Sequence, residues 1–513
     1  MSTAQAAATG DEQVDPPIST VAGTGVPGPP QGEKNERAVS AQLNGPIGLV
    51  VDSVGTLYIA DLHNHRVRKI TTDGKISTVA GTGVAGSGGD GSLAVSAQLH
   101  YPRAMAVDSA GDLYIADSGN NRIRKITWAD GKISTIAGTG APTFGGDGGL
   151  ATAARLNYPS GVAVDSAGDL YIADYRNHRV RKVTMTDGKI STVAGTGAGT
   201  FGADGVPATS APLHYPHGVA VDSSGDLYIA DSSNHRVRKV TMTDGRISTV
   251  AGTGAGTFGA DGVPATSAPL NNPTAVMVDS TDTLYIADCN NHRIRKVTAD
   301  KKISTVAGTG AATYGGDGVP ATSAPLKSPY GLAVDCIDTL YIADLGNHRV
   351  RRVVSARMAG LPDSGTVVSW ANVRSKLRMG VVRESTKDGA EVHQTLAVPR
   401  DHQQWRLIAA GHDNGDILYR IENVRSGKVL EVVGAGMAPG AVVAQRAHEG
   451  ADAHHQQWTL IPVGSVNGTP RVYEIANRNS GLLLHVDTSA RTVIKQHGAE
   501  GDHQGRQWQL LPV

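Results

Sequence analysis

Five aspartates recur at a near-constant interval with the chemistry to ligate a metal ion. Asp90, Asp147, Asp204, Asp261 and Asp317 each sit in a Gly-Asp-Gly or Ala-Asp-Gly tripeptide. Carboxylate and backbone oxygens suit Ca²⁺, but such a site draws on several carboxylates and each of these loops offers one. The tripeptides are therefore read as turns, and no metal or other cofactor is expected. Arginines at 66, 122, 179, 236, 293 and 349 recur with the same interval and could form a basic ring for RNA. Aspartates recur beside them in equal number, and aromatic residues on which bases could stack are few. Nucleic acid is not an expected partner, and exposed ion pairs between repeats are the expected use of these arginines. Asn64, Asn120, Asn177, Asn234, Asn291 and Asn347 are read as turn residues, because Asn tolerates positive φ and bonds its own backbone.

All of these belong to one repeat. The segment LYIAD occurs six times, ending at Asp61, Asp117, Asp174, Asp231, Asp288 and Asp344, in steps of 56, 57, 57, 57 and 56 residues. A strand-like run such as GVAVDS precedes each copy, and N-[HN]-R-[VI]-R-[KR] follows it. In the first five copies a polar turn and I-S-T-[VI]-A-G-T-G come next. Each unit thus holds four short β runs, with turns such as Asp165 to Gly168, Asp174 to Asn177 and Asp187-Gly188. Four strands per radially repeated unit is the pattern of a propeller blade.

The phase of the repeat adds closure. I-S-T-[VI]-A-G begins at Ile18, Ile76, Ile133, Ile190, Ile247 and Ile303, so one copy precedes every LYIAD and none follows the last. Ile18–Gly23 is expected to pair beside Arg349–Val354 as the missing outer strand of blade six. That pairing joins the two ends of the ring and leaves no unpaired blade edge. The expected divisions are a tail over 1–17, a six-bladed propeller over 18–354, a linker over 355–364 and a second domain over 365–513. Inside this near-identical repeat, the residue after the proline that opens each inner strand varies: Ile47, Arg103, Ser160, His217, Thr274 and Tyr330. Inner strands line the central channel, so these six should surround its mouth. They form either a shaped pocket or a set of positions that drifted without consequence.

The pattern L-Y-I-A-D-x-x-N-H-R-[VI]-R-K resembles the NHL repeat over about two-thirds of the chain. The resemblance implies a scaffold used mostly to bind protein, RNA or ligand. Some NHL-like propellers are similar to metal-dependent lyases, in which several histidines converge on the channel. Here only His217 holds a mouth position, with His100 and His214 three residues before such positions in two loops. A Zn²⁺ site needs three or four ligands. No catalytic residue is assigned, and a propeller lyase is the lesser alternative.

After Arg352 the period breaks, and a looser threefold repeat begins. Its markers are HQQWRLI around Trp405, HQQWTLIPV around Trp458 and RQWQLLPV around Trp508, at steps of 53 and 50. The segments NVRSKLRMGV, NVRSGKVLEV and NRNSGLLLHV precede them. These units resemble the ricin-B-type β-trefoil with its Q-x-W motifs, which gives an all-β chain of six-bladed propeller followed by β-trefoil. The resemblance implies that the Trp packs in the core and the Gln bonds neighbouring backbone. It also implies a sugar site built on an Asp in an L-D-V segment and a stacking aromatic. This chain departs from that pattern. Arg506 replaces the third Gln, and the Asp position holds Gly380, Glu431 and His485 in the three units. The segments VHQTL, VAQRA and VIKQH, where the aromatic is expected, offer only His393 and His497. A sugar needs a bidentate acceptor and an apolar platform. Glu431, with Gln445 and His455, is therefore the expected carbohydrate site. Either its sugar affinity is weak or the trefoil binds protein instead.

Composition bounds the rest. The 513 residues carry 47 basic and 47 acidic side chains, so no global charge steers the chain to nucleic acid or anionic lipid. Glycine is abundant (64) and phenylalanine scarce (3), as many short strands and tight turns require. The two cysteines, Cys289 and Cys336, are expected on opposite faces and unbonded. The N-terminus shows no secretory signal, and no stretch is long and apolar enough to span a bilayer. The default compartment is the cytoplasm, with signal-independent export left open. The expected function is a non-enzymatic binding or adaptor protein whose trefoil recognises carbohydrate or glycoprotein and whose propeller presents a protein- or ligand-binding face. The alternative is a protein–protein scaffold, or targeting subunit of a larger assembly, with a degenerate lectin module.

Overall fold

The computed structural model describes residues 15–29, 36–52, 55–71, 74–279, 281–335, 338–354, 361–362, 364–372, 375, 377–397, 400–413, 416–450, 453–466, 469–486, 494–498 and 506–512. Most of the expected tail, most of the expected linker and Cys336 lie outside these residues. The fold is all-β, a six-bladed propeller followed by a trefoil.

Blades two to five are four-stranded antiparallel sheets whose strands run outwards in chain order, as in Pro159–Val164, Leu170–Asp174, Arg179–Thr184 and Lys189–Ala194 of blade three, and blade one adds Glu36–Arg37 at its outer edge. The second strand, LYIAD, is apolar without alternation because neighbouring blades cover both its faces. The core lies between blades. Ala106, Tyr114 and Ala116 of blade two pack with Val162, Leu170 and Ile172 of blade three. Ala333, Ala343 and Val350 of blade six pack in the same way with Leu49 and Ile59 of blade one. The strand Ile18–Ala22 pairs antiparallel with Arg349–Val353 in the register Ile18 to Val353 and Ala22 to Val350. Blade six is thus made of both ends of the repeat.

Repeated polar residues build the shell. Asp174 of LYIAD is fully buried, accepting bonds from the Asn157 backbone N–H (2.7 Å) and Asn177 Nδ2 (2.8 Å), and Arg181 lies at 3.3 Å. Burial raises its carboxyl to about 6 despite these partners. Arg181, also fully buried, bonds Asp147 of the Gly-Asp-Gly loop as well. Blades two, four, five and six repeat the bridge through Arg124–Asp90, Arg238–Asp204, Arg295–Asp261 and Arg351–Asp317. The loop aspartates are therefore turn residues that also clamp a buried arginine. A pair of this kind recovers its desolvation cost only when its remaining hydrogen-bonding groups are also met, and the loop supplies the second partner.

Two sequence expectations are corrected here. Among the described residues, no ion pair between blades involves the arginines at 122, 179, 236, 293 and 349, and Arg66 is held by a carbonyl as they are. Each donates to a backbone carbonyl, as Arg66 does to Thr82 O (2.8 Å) and Arg349 to Thr24 O (2.7 Å). Arg179 also lies 3.8 Å from the centroid of the Phe144 ring, and Arg349 3.9 Å from that of Tyr314. The segment just after the strand paired beside each arginine supplies that carbonyl, from Thr82 for Arg66 to Thr24 for Arg349. Nor does the turn asparagine take positive φ. That conformation falls on the next residue, His65, Asn121, His178, His235, His292 or His348 (φ 51–55°), while Asn Nδ2 bonds the LYIAD aspartate.

These six αL residues bind the blades together. His65 Nδ1 accepts from Tyr101 N–H, Asn121 Oδ1 from Tyr158, and His178 Nδ1 from Tyr215. His235 accepts from Asn272, His292 from Ser328 and His348 from Gly45. Each bond runs from one blade to the next, and the last crosses the closure. The accepting nitrogen must be unprotonated, and burial lowers the pKa of all five histidines from the usual 6.5.

In the trefoil, twelve strands between Val367–Asn372 and Gln507–Pro512 form one connected sheet. Trp405, Trp458 and Trp508 are fully buried, and their indole N–H groups donate to Met379 O, Leu430 O and Leu484 O at 3.0–3.1 Å. Gln403 Nε2 donates to Leu396 O (2.7 Å) and Gln456 Nε2 to Ala447 O (3.1 Å). Arg506, at the third such position, bonds Glu474 (2.8 Å).

Candidate recognition sites

The six variable residues that follow the inner-strand prolines line one cavity of about 80 Å³ on the propeller axis. They do not contribute equally. Ser160 Oγ donates to His217 O (3.0 Å) and Thr274 Oγ1 to Tyr330 O (2.9 Å), so both hydroxyls brace neighbouring blades. Ile47 is buried and apolar. Arg103, His217 and Tyr330, from blades two, four and six, meet on the axis. Arg103 Nη1 lies 2.9 Å from Tyr330 Oη and 3.1 Å from His217 Nε2, and Tyr330 Oη bonds the same His217 nitrogen. The guanidinium also stands 5.0 Å from the centroid of the Tyr158 ring and 5.8 Å from that of Tyr330.

Charge is concentrated on one of the three. Burial, then Arg103, holds the His217 pKa well below its usual 6.5. Burial pushes the Tyr330 phenol up to about 12. Both are neutral at pH 7, and Arg103 carries the cluster's charge. Burial works against that charge, and hydrogen bonds to the Tyr330 and Tyr158 oxygens favour it.

The trefoil site departs from its expected form. Gly380, Glu431 and His485 each follow the residue whose carbonyl holds a core tryptophan, so they are equivalent by structure. At Gly380 an added Cβ would meet Gln403 Cγ at 3.0 Å, so that position has little room for a side chain. Glu431 is 1% exposed, with Oε1 2.7 Å from Arg446 Nε and Oε2 3.4 Å from Gln456 Nε2 and 3.6 Å from His455 Nε2. His455 also approaches Glu449 (3.5 Å), which brings donor atoms of Glu431, Glu449 and His455 within 4.8 Å of one another.

Gln445 leaves the set of sugar-site candidates. It is fully buried, donates to Ser385 O (2.8 Å) and Lys387 O (3.1 Å), and accepts from Ser426 Oγ (2.7 Å). Gln496 does the same with Gly436 O, Ala438 O and Ser480, and Gln394 accepts from Ser375. All three are braces of the trefoil.

Comparison with known families agrees with this geometry. Residues 43–70, 99–126, 156–183 and 213–240 match the NHL repeat, and 262–354 match the Teneurin NHL domain. Residues 358–446 match the Ricin-type beta-trefoil lectin domain-like family. The chain is an NHL-repeat propeller joined to a ricin-type lectin-like domain. The NHL part is 29% identical over 310 residues to NHL repeat-containing protein 2 of Homo sapiens, covering 54% of this chain and 42% of that protein. It is 32% identical over 280 residues to Teneurin-m of Drosophila melanogaster, covering 47% of this chain and 10% of that one. The chain thus spans less than half the length of these curated relatives. A designed 3-fold symmetric protein, ThreeFoil, is 32% identical, covering 29% of this chain and 99% of its own, with a TM-score of 0.25.

Within the NHL propeller, sequence reasoning missed the blade-to-blade histidine bonds. Their signal was present in N-[HN]-R, where the alternatives His and Asn share one property, a side-chain acceptor two bonds from Cβ.

Proposed function

We propose that this protein is a recognition protein without catalytic activity. The lectin-like domain takes carbohydrate at its second unit, and the NHL propeller presents a face for a protein or ligand partner. One observation carries the sugar reading: Glu431 is the only carboxylate among the three equivalent positions Gly380, Glu431 and His485, and His455 and Glu449 stand beside it. A carboxylate that accepts from hydroxyls forms charge-assisted bonds worth about 1.5–3 kcal/mol each. The test is calorimetry of the full chain against sugars that score on a glycan array. Glu431→Gln should abolish measurable binding, while Gly380→Ala, His485→Asn and the brace variant Gln445→Met leave the affinity of folded protein unchanged. A sugar that binds equally well to Glu431→Gln would defeat the assignment.

A second reading draws on Arg446. It holds Glu431 Oε1 where the family's stacking aromatic is missing, and it is 39% exposed, which favours a protein surface over a pyranose ring. An array without hits, together with a protein ligand lost on Arg446→Ala, would support that reading.

A further inference from the structure

The propeller's axial cluster goes beyond the sugar reading of the trefoil, and the geometry assigns it a ligand class. We infer that Arg103, His217 and Tyr330 form a receptor for a compact oxyanion, the carboxylate or phosphate head of a small molecule.

The argument begins with charge balance. Every fully buried arginine of the shell lies near the LYIAD aspartate of its own blade, from Arg181–Asp174 at 3.3 Å to Arg68–Asp61 at 3.9 Å. On the axis the arrangement differs. Among the described residues, the groups that stabilise Arg103 are phenols, and its Nε lacks a hydrogen-bond partner. The other residues of this rim reinforce the contrast. The segments that open the inner strands are NGPI, HYPR, NYPS, HYPH, NNPT and KSPY, and those after LYIAD are LHN, SGN, YRN, SSN, CNN and LGN. None contains an acid, while they contribute Arg103, Arg176 and Lys327. The LYIAD aspartates between these segments are spent on backbone N–H groups, asparagines and shell arginines.

A cation removed from water and left without an anion is costly, and the planar guanidinium fork matches carboxylate and phosphate oxygens. The surroundings fit a small head group. The cavity of about 80 Å³ has room for only a few heavy atoms. Tyr330 and neutral His217 hold the guanidinium in place, the phenol oxygen accepting from Arg103 and giving its single proton to His217 Nε2. At the mouth, Arg176 lies over the Tyr158 ring (4.7 Å), and Tyr175 packs on Tyr215 (4.7 Å), giving the rest of the ligand an aromatic wall.

The test uses the full chain, titrated by calorimetry with inorganic phosphate and, separately, with acetate, each against sodium chloride of equal ionic strength. Saturable binding of at least one of the two is expected in the wild type, and which one binds tells phosphate from carboxylate. Arg103→Gln should weaken it on the order of 10- to 100-fold, the loss of a charge-assisted bond. Tyr330→Phe, which keeps the ring and removes the hydroxyl that positions the Arg103 guanidinium, should weaken it less. If neither anion exceeds chloride, or if both variants bind as the wild type does, the proposal fails. The trefoil reading is judged separately, by glycan binding at Glu431.

Discussion

In the propeller shell a guanidinium such as Arg181 is shared between Asp174 and Asp147, whereas among the described residues Arg103 on the axis meets phenols and an imidazole. Arg181 is fully buried and Arg103 partly buried, both within the propeller, and their difference lies in symmetry. A side chain present in every blade can be met by a partner present in every blade. Arg103 occurs once, so no repeated residue answers it. The trefoil draws the same line. Gln394, Gln445 and Gln496 are alike and become braces, while Glu431 stands where its counterparts are Gly380 and His485. In this protein the symmetric polar residues hold the fold, while the odd ones divide between braces such as Ser160 and Thr274 and the proposed ligand groups Arg103 and Glu431.

The comparison breaks first at the shell. Arg181→Met should lower unfolding stability by about 3–5 kcal/mol, because it strands the buried Asp174 carboxylate. Arg103→Gln removes a charge that no acid answers, and its midpoint in chemical denaturation should stay level or rise. Equal losses in the two variants would mean that Arg103 is structural after all.

A smaller effect tests closure. Deleting residues 1–25 exposes the edge of Arg349–Val353 and removes buried Ile18, worth about 1.5–3 kcal/mol by itself. Size-exclusion chromatography should show association through the open edge. A truncated protein that melts at the unchanged temperature would defeat the ring model.

The smallest effect is in the histidine ring. Each folded-state pKa lies below the ordinary 6.5, so the neutral form is favoured by folding. The contribution is complete above about 6.5 and is lost as pH falls through the folded pKa. Aspartates such as Asp174, raised to about 6, shift stability the other way as pH falls. Replacing all five histidines with Asn, the residue blade two already uses at Asn121, leaves those aspartates alone and so isolates the ring. The variant should lose less stability than the wild type between pH 7.5 and 5.5. Parallel pH curves would show that the five bonds do not depend on protonation. Cys289 offers a control for intact folding, since burial pushes its thiol up to about 12 and it should resist thiol reagents until the protein unfolds.

The four repeated strands of each blade and their order were legible because period, turn residues and the phase of I-S-T-[VI]-A-G are properties of one chain read along its length, whereas the extra strand Glu36–Arg37 was not. So was the set of axial residues, Ile47 through Tyr330, because a position that varies inside a constant repeat announces itself. Composition and repetition likewise determined that this is an all-β protein of two repeat modules. What only the tertiary structure decided is which partner each polar group takes. Arg179 finds a carbonyl and Arg181 a carboxylate although, two residues apart, they share one face of the strand and the same Phe144 ring, because packing brings Thr196 O to the first and Asp147 and Asp174 to the second. Gln445 turned inward to Ser385 and Lys387, while Glu431, fourteen residues earlier, stayed beside Arg446 and His455. Hydrogen bonds and ion pairs fall off over a few ångströms, and distances that short between remote residues are set by how blades and trefoil units pack, not by their spacing along the chain.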